Sequence, residues 1–241
     1  MLKGKVVVVT GSSSGIGRAC VEKIISSGGA AIGLDLQTST VSGGAFSHYH
    51  LDVRDEASLV STMAVIDERF PAIDGLVNCA GVFSCSKPFY QMTTEEWDRT
   101  VSTNLTGTFL VSKHVAKRMM SNGRGKIVNI GCIRSRVFRP NMADYAASKA
   151  GVAGLTSAMA LDLAPYNIQV NSVAPGFTYT GMTDRAFDTG DVRMRSEALI
   201  PAGRIAGPED IARVVTFLLS EGADYITGET VVVDGGYSVS K

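Results

Sequence analysis

Short runs of β-branched residues alternate with longer helix-forming stretches along almost the whole chain, and this alternation restricts the fold more than any other feature. Val6–Thr10 precedes a helical pattern at Gly15–Ser26, and the runs at 31–34 and 49–53 precede another at 56–70. Gly75–Asn78 precedes a long helical pattern at 94–120. The second half repeats the scheme with 126–130, a helix at 144–164, 168–173, a helix at 208–220 and a last strand at Thr230–Val233. Parallel neighbours need crossover connections long enough to hold a helix. The pattern therefore predicts an α/β fold, a doubly wound parallel sheet with helices on both faces.

Several boundaries carry their own signals. Thr93-x-x-Glu96 reads as a capping box, and Pro208 followed by Glu209 and Asp210 suits the first turn of a helix. "SNGRGK" at 121–126 is a glycine-rich stop, and the polar, weakly periodic segment 176–207 reads as a loop with a short helix. No composition break or linker divides the chain, so 1–241 reads as one domain with a substrate loop at about 176–207. The 23 basic residues balance 23 acidic ones, which gives no electrostatic reason to expect a nucleic acid or an anionic membrane as partner.

Cys20, Cys79, Cys85 and Cys132 have no C-x-x-C spacing, and His48, His50 and His114 form no zinc pattern with them. Free thiols in a reducing compartment and no metal are the expectation. The apolar run from Val6 to Val9 is too short for an export signal or a membrane span, so a soluble cytoplasmic protein is expected.

The first strand runs into "TGSSSGIG", with Gly11, Gly15 and Gly17 between a buried strand and a helix. Glycine there lets the backbone approach a ligand closely, and the first helical N–H groups attract a pyrophosphate. The next strand ends in Asp35, 18 residues after Gly17, where a dinucleotide fold places an acid to receive ribose hydroxyls. A carboxylate there repels a 2′-phosphate, and Ser14, Leu36 and Gln37 supply no cation to hold one. NAD is therefore expected rather than NADP.

Gly11, Gly15 and Gly17, "NCAG" at 78–81 and Tyr145-x-x-x-Lys149 together resemble the short-chain dehydrogenase/reductase family, with its Rossmann-type fold. The resemblance also takes in "LDV" at 51–53, Asn104 and "VAPGFTYTGM" at 173–182, and it spans essentially the whole chain. It implies that Ser13, Ser14 and Ile16 join the glycines around the dinucleotide. It also implies Asp52 and Val53 at the adenine, Asn78, Ala80 and Gly81 at the ribose edge, and Pro175, Gly176, Thr178 and Thr180 against the nicotinamide. A homotetramer paired through the long helix and the Tyr145 helix is implied as well.

Tyr145 and Lys149 lie one helical turn apart and share a face. A free tyrosine has a pKa near ~10. A cation about 5 Å away at an effective dielectric near 20 favours the phenolate by roughly 3 kcal/mol. Tyr145 is thus expected as general base for alcohol oxidation and general acid for carbonyl reduction. By the resemblance, Lys149 also holds the nicotinamide ribose and Asn104 anchors a water relay. The family serine, 13 residues before the tyrosine, is replaced by Cys132, a weaker donor. Three readings stand open here. Cys132 is a natural variant that still contributes weakly, or an introduced replacement, or else Ser135 reaches the substrate oxygen; Cys132 in the serine position is favoured, whether natural or introduced.

The loop "IRSRVFRPNMAD" carries Arg134, Arg136 and Arg139, and arginine suits bidentate carboxylate recognition. Arg134, Arg136 and Phe177 are the candidate substrate contacts, with a hydroxy acid or keto sugar acid as the attractive substrate. Arg185, Arg193, Arg195 and Arg204 are further candidates; Phe138, Phe177 and Phe187 would instead line an apolar pocket for a cyclic alcohol or steroid. The expectation is an NAD-dependent oxidoreductase interconverting a secondary alcohol and a ketone. The alternatives are an NADPH-dependent 3-ketoacyl-type reductase and a catalytically weak nucleotide sensor.

Overall fold

The computed structural model describes residues 1–181, 183 and 190–240. Seven parallel strands form one sheet in the order β3-β2-β1-β4-β5-β6-β7. They are β1 Val6–Thr10, β2 Ala30–Asp35, β3 Phe46–His50, β4 Gly75–Asn78, β5 Gly125–Ile130, β6 Ile168–Pro175 and β7 Thr230–Val233. The helices are α1 Gly15–Ser26, α2 Glu56–Arg69, α3 Thr94–Val101, α4 Gly107–Asn122, α5 Ala143–Leu163, α6 Gly190–Ala198 and α7 Pro208–Leu218.

Successive strand side chains point to opposite faces, and the core divides accordingly. Val8, Ile32, Leu76, Ile127 and Val170 pack against Leu59 and Ile66 of α2, Val111 and Val115 of α4 and Leu163 of α5. Val7, Val9, Val77, Val128 and Val173 pack on the other face against Val21 and Ile24 of α1 and Ile211 and Val215 of α7. Burial on both faces explains why these strands read as continuous apolar runs rather than as alternating ones.

The chain builds outward from β1 to β2 and β3, then returns to place β4 on the other side of β1. The order reverses between β1 and β4, and there the crossover loops separate to leave a crevice at the strand C-termini. Thr10 closes its floor: the Cys79 and Ala80 N–H groups both donate to its Oγ1 at 3.0 Å.

Two elements differ from the sequence expectation. The third strand is Phe46–His50 rather than 49–53. Its register runs Ala31↔Phe46 to Asp35↔His50, and Leu51 and Val53 then leave the sheet to bury in the core. "FSHYH" lacks a β-branched run, so sheet pairing rather than local propensity fixes this strand.

The long helix is also interrupted, by a π-turn at Ser102–Thr106. The Thr103 hydroxyl donates to the Arg99 carbonyl at 2.8 Å and the Thr108 hydroxyl to the Asn104 carbonyl at 2.8 Å. The wider turn re-aims the side chains on it, a use often made of π-turns at functional sites.

The capping box forms as expected. The Glu96 N–H donates to Thr93 Oγ1 at 3.2 Å and the Thr93 N–H donates to Glu96 Oε2 at 3.0 Å. The segment after β6 carries the expected short helix, α6. Among the described residues, no helix is long and apolar enough to cross a membrane, and no group of His, Cys, Asp and Glu side chains could hold a metal ion.

Candidate active site

A cavity of about 650 Å³ opens at the strand C-termini, running from Asp35 and Asp52 at one end to Tyr145, Lys149 and Phe177 at the other. At its centre, α1 begins directly on the wall. Its N-cap Ser14 makes no side-chain capping bond and its first turn holds no acidic residue, so the helix presents open N–H donors to the cavity. Backbone approach is enforced on both sides of this turn. Gly11 has φ +65°, and a Cβ there would lie 2.9 Å from the Ala80 backbone; a Cβ at Gly17 would lie 2.0 Å from the Gly11 carbonyl oxygen. Uncapped donors behind a turn whose glycines admit close backbone approach fit a pyrophosphate.

Asp35 ends β2 on the cavity wall, where the Ser13 N–H donates to its Oδ2 and the Gln37 N–H to its Oδ1, both at 2.8 Å. A carboxylate offers about four acceptor sites, and the two that these amides leave are available to ribose hydroxyls. The nearby cation, Arg54, is held by Asp52, with Nη2 donating to Oδ2 at 2.6 Å and Nε donating to Oδ1 at 2.9 Å. That hydrogen-bonded guanidinium holds the Asp52 carboxyl below the usual carboxylate range. Arg54 is thereby already matched by a negative charge.

At the chemical end, α5 carries Tyr145 and Lys149 over the last residues of β5. Lys149 is buried, and its Nζ donates to the Ile130 carbonyl at 2.8 Å and lies 5.8 Å from the centre of the Tyr145 ring. Cys132 follows β5 in extended backbone, lines the cavity and lies close enough to Tyr145 to act electrostatically on its phenol. Burial lowers the Lys149 pKa. Burial also pushes the Tyr145 phenol well above its ordinary value, with Cys132 adding to the rise and Arg134 opposing it.

This corrects the expectation that the lysine lowers the tyrosine. The ammonium is turned to a backbone carbonyl, and desolvation of the phenolate outweighs its attraction at that range. Burial pushes the other cavity thiol, Cys79, up to about 12, so it stands as a neutral thiol. Ser135 is not on the cavity wall; its hydroxyl donates to the Cys132 carbonyl at 2.8 Å.

The π-turn aims Asn104 inward. Its Oδ1 accepts the Val82 N–H at 2.8 Å, and its Nδ2 donates to the Val82 carbonyl at 3.0 Å and to Ser148 Oγ at 3.2 Å. A single amide thus clamps the loop after β4 to the catalytic helix. Asp144 does the same from the other side of Tyr145: Ser84 Oγ donates to Asp144 Oδ1 at 2.5 Å and Thr100 Oγ1 to Asp144 Oδ2 at 2.8 Å.

Of the sequence-predicted residues, Gly11, Ser14, Gly15, Ile16, Asp35, Asp52, Val53, Ala80, Gly81, Cys132, Tyr145 and Lys149 line the cavity. Pro175, Gly176, Phe177, Thr178, Thr180 and Arg134 line it too. Ser13 stands behind Asp35, Gly17 packs on Gly11, and Asn104 acts from behind Val82. Asn78 lies behind the wall, donating to Ser112 Oγ and Asn129 Oδ1, both at 2.8 Å. These four are supports of the wall rather than its surface.

Arg136 is exposed and does not line the cavity, which corrects its candidacy as a substrate contact; Arg139 lines it instead. The 3₁₀ turn Ile133–Ser135 decides which arginines face inward, and no periodicity in the loop signals it. Phe138 is 67% exposed and off the wall. Arg193 pairs with Glu197 at 3.1 Å and Arg204 with Asp210 at 2.6 Å, while Arg195 is exposed. Arg185 and Phe187 lie outside the described residues. Sequence reasoning also missed Met142, Val192 and Ser196, which reach the wall only through tertiary contact.

A family model described as enoyl-(acyl carrier protein) reductase matches residues 11–238. The chain is 40% identical over 245 residues to a 3-oxoacyl-(acyl-carrier-protein) reductase of Vibrio harveyi, covering 98% of each. It is 35% identical to an NAD-dependent glycerol dehydrogenase of Listeria innocua, covering 98% of this chain and 94% of that one. Among solved structures, a gluconate 5-dehydrogenase from Burkholderia cenocepacia in complex with NADP and tartrate superposes with a TM-score of 0.94 at 32% identity, covering 99% of this chain and 96% of that one. The chain belongs to the short-chain dehydrogenase/reductase family. It is an oxidoreductase that works with a nicotinamide dinucleotide.

Proposed function

We propose that this protein is an NAD-dependent dehydrogenase/reductase interconverting a secondary alcohol and a ketone. The carrying observation is the juxtaposition of Tyr145, Lys149 and Cys132 at the cavity end opposite Asp35. The dinucleotide, when bound, supplies the hydride acceptor or donor. Gly11, Gly15 and the open N-terminus of α1 hold its diphosphate, and Asp35 receives the adenosine ribose.

Tyr145 takes the hydroxyl proton in oxidation and returns it to the carbonyl oxygen in reduction. Cys132 donates weakly to the same oxygen, and the buried Lys149 balances the developing phenolate. Asn104 and Asp144 keep the tyrosine helix and the β4 loop in register. The preference for NAD rests on Asp35, together with an Arg54 already committed to Asp52. Assembly as a homotetramer belongs to this reading, supported by Phe109 on α4 and Leu161 on α5, which are 45% and 78% exposed.

A second reading is favoured by the Vibrio harveyi relative: reduction of an acyl-linked ketone with NADPH. Both are tested by following absorbance of the reduced nicotinamide with each dinucleotide across a panel of alcohols, hydroxy acids and acyl-linked ketones. Turnover with NAD at a kcat/KM at least about tenfold above that with NADP is expected. Preference for NADPH with an acyl-linked ketone would replace the first reading with the second.

A further inference from the structure

We propose that Arg134 and Arg139, braced on Phe177 and Tyr237, form a carboxylate-binding wall, so that the substrate is a hydroxy acid and its product an oxo acid. The proposal rests on the oxidoreductase reading above and specifies its substrate.

Arg134 is only 6% exposed and lies on the cavity wall two residues beyond Cys132. A guanidinium stays charged at every working pH, and a buried charge is ordinarily matched by an acid. Among the described residues no carboxylate pairs with Arg134 or Arg139. Among the described residues, the acids on the cavity wall are Asp35 and Asp52, which serve the far end. Three interstrand spacings separate β2 from β5, so Asp35 is roughly 14 Å away.

The partners that Arg134 does have are of a kind that leaves it open. Its Nη1 donates to the Val137 carbonyl at 3.0 Å. Its guanidinium carbon lies 5.9 Å from the ring centres of both Phe177 and Tyr237. Arg139 stands 5.1 Å from the Phe177 ring centre, and its Nη2 donates to the Tyr237 hydroxyl at 3.5 Å.

The rings hold the two guanidinium groups in place, and the N–H groups not given to Val137 and Tyr237 remain to meet a carboxylate. The two rings themselves meet edge-on at 5.1 Å. Residues from the β5 loop, the end of β6 and the last turn of the described chain thus converge to position two cations at one wall. Arg134 is also close enough to Tyr145 to act electrostatically on the phenol. A carboxylate seated there lies within a few bonds of the carbon whose hydroxyl meets Tyr145, which points to a short hydroxy acid.

The test uses the full-length protein with its dinucleotide and matched pairs of acid and neutral amide: lactate and lactamide, 3-hydroxybutyrate and 3-hydroxybutyramide, gluconate and gluconamide. At least one acid should exceed its amide by about 50-fold in kcat/KM, the worth of a charge-assisted bidentate contact. Arg134→Gln should remove most of that ratio, the acid losing at least about tenfold more in kcat/KM than its amide, since the loss of charge beside Tyr145 acts on both alike. Arg139→Ala, at an exposed position where folding is not at stake, should erode the ratio in the same direction. Arg136→Ala should not.

Malonate supplies a readout without turnover. It should raise the melting temperature of the dinucleotide-bound protein, and Arg139→Ala should diminish that rise. Amides oxidised as readily as acids would overturn the wall and leave the oxidoreductase reading standing. Glycerol 3-phosphate preferred over every acid would overturn the carboxylate assignment. Absence of all turnover would overturn the oxidoreductase reading, and the wall would then be judged by malonate alone, with no thermal shift rejecting it.

Discussion

Replacing Cys132 by serine should make this enzyme faster. The residue sits two positions after β5 with φ −166° and ψ 152°, an extended conformation that serine adopts without strain, and it stands beside Tyr145 on the cavity wall. The substitution therefore leaves the donor position nearly unchanged and alters the donor itself. A well-placed donor to a developing oxyanion is worth about 10²–10³ in turnover. A thiol, longer and weaker, keeps only part of that.

An increase of about 10- to 100-fold in kcat is expected, which corresponds to about 1.4–2.7 kcal/mol off the barrier. Ser135 offers no bypass, since its hydroxyl is already given to the Cys132 carbonyl. Steady-state rates from reduced-nicotinamide absorbance, at saturating substrate and dinucleotide, measure the effect. Serine also removes an ionisable neighbour that raises the Tyr145 pKa, so the alkaline limb of the oxidation profile should move to lower pH. An unchanged or reduced kcat in a protein with an unaltered melting temperature would refute the assignment of Cys132 as a donor.

Two further outcomes follow from the same geometry. Because burial first, and then Cys132, hold the Tyr145 phenol protonated, alcohol oxidation should climb with pH from about 7 through at least about 9, whereas carbonyl reduction, which uses the protonated phenol, should change little over that range. Initial rates in both directions check this, and a flat oxidation profile would contradict it. Gly17→Ala drives a Cβ to 2.0 Å from the Gly11 carbonyl oxygen and should cost about 1–3 kcal/mol in stability while weakening reduced-dinucleotide binding by more than about tenfold, as read by thermal melting and fluorescence titration.

Much of the architecture was legible locally. β-branched runs such as Val6–Thr10, the Thr93 capping box and the proline at the start of α7 each encode their element through nearest-neighbour chemistry. The glycine turn and the Tyr145–Lys149 pair were equally readable, because a close backbone approach and a shared helix face leave fixed spacings in the chain.

The third strand was misplaced because "FSHYH" has no propensity of its own to declare it and gains its register from β2. The break in the long helix was hidden as well. A π-turn keeps the helical composition, and its purpose, aiming Asn104 at Val82, involves a residue 22 positions away.

The sequence alone determined a parallel α/β sheet, a dinucleotide turn and a tyrosine within one turn of a lysine, since each leaves a signal readable within a few neighbouring residues. Tertiary structure decided which way the tyrosine titrates, because desolvation depends on everything packed around the phenol and spacing carries no measure of it. It also decided that Arg134 and Arg139 rather than Arg136 face the cavity, because a 3₁₀ turn and rings from Phe177 and the distant Tyr237 fix those side chains, and no local pattern records where such distant segments meet.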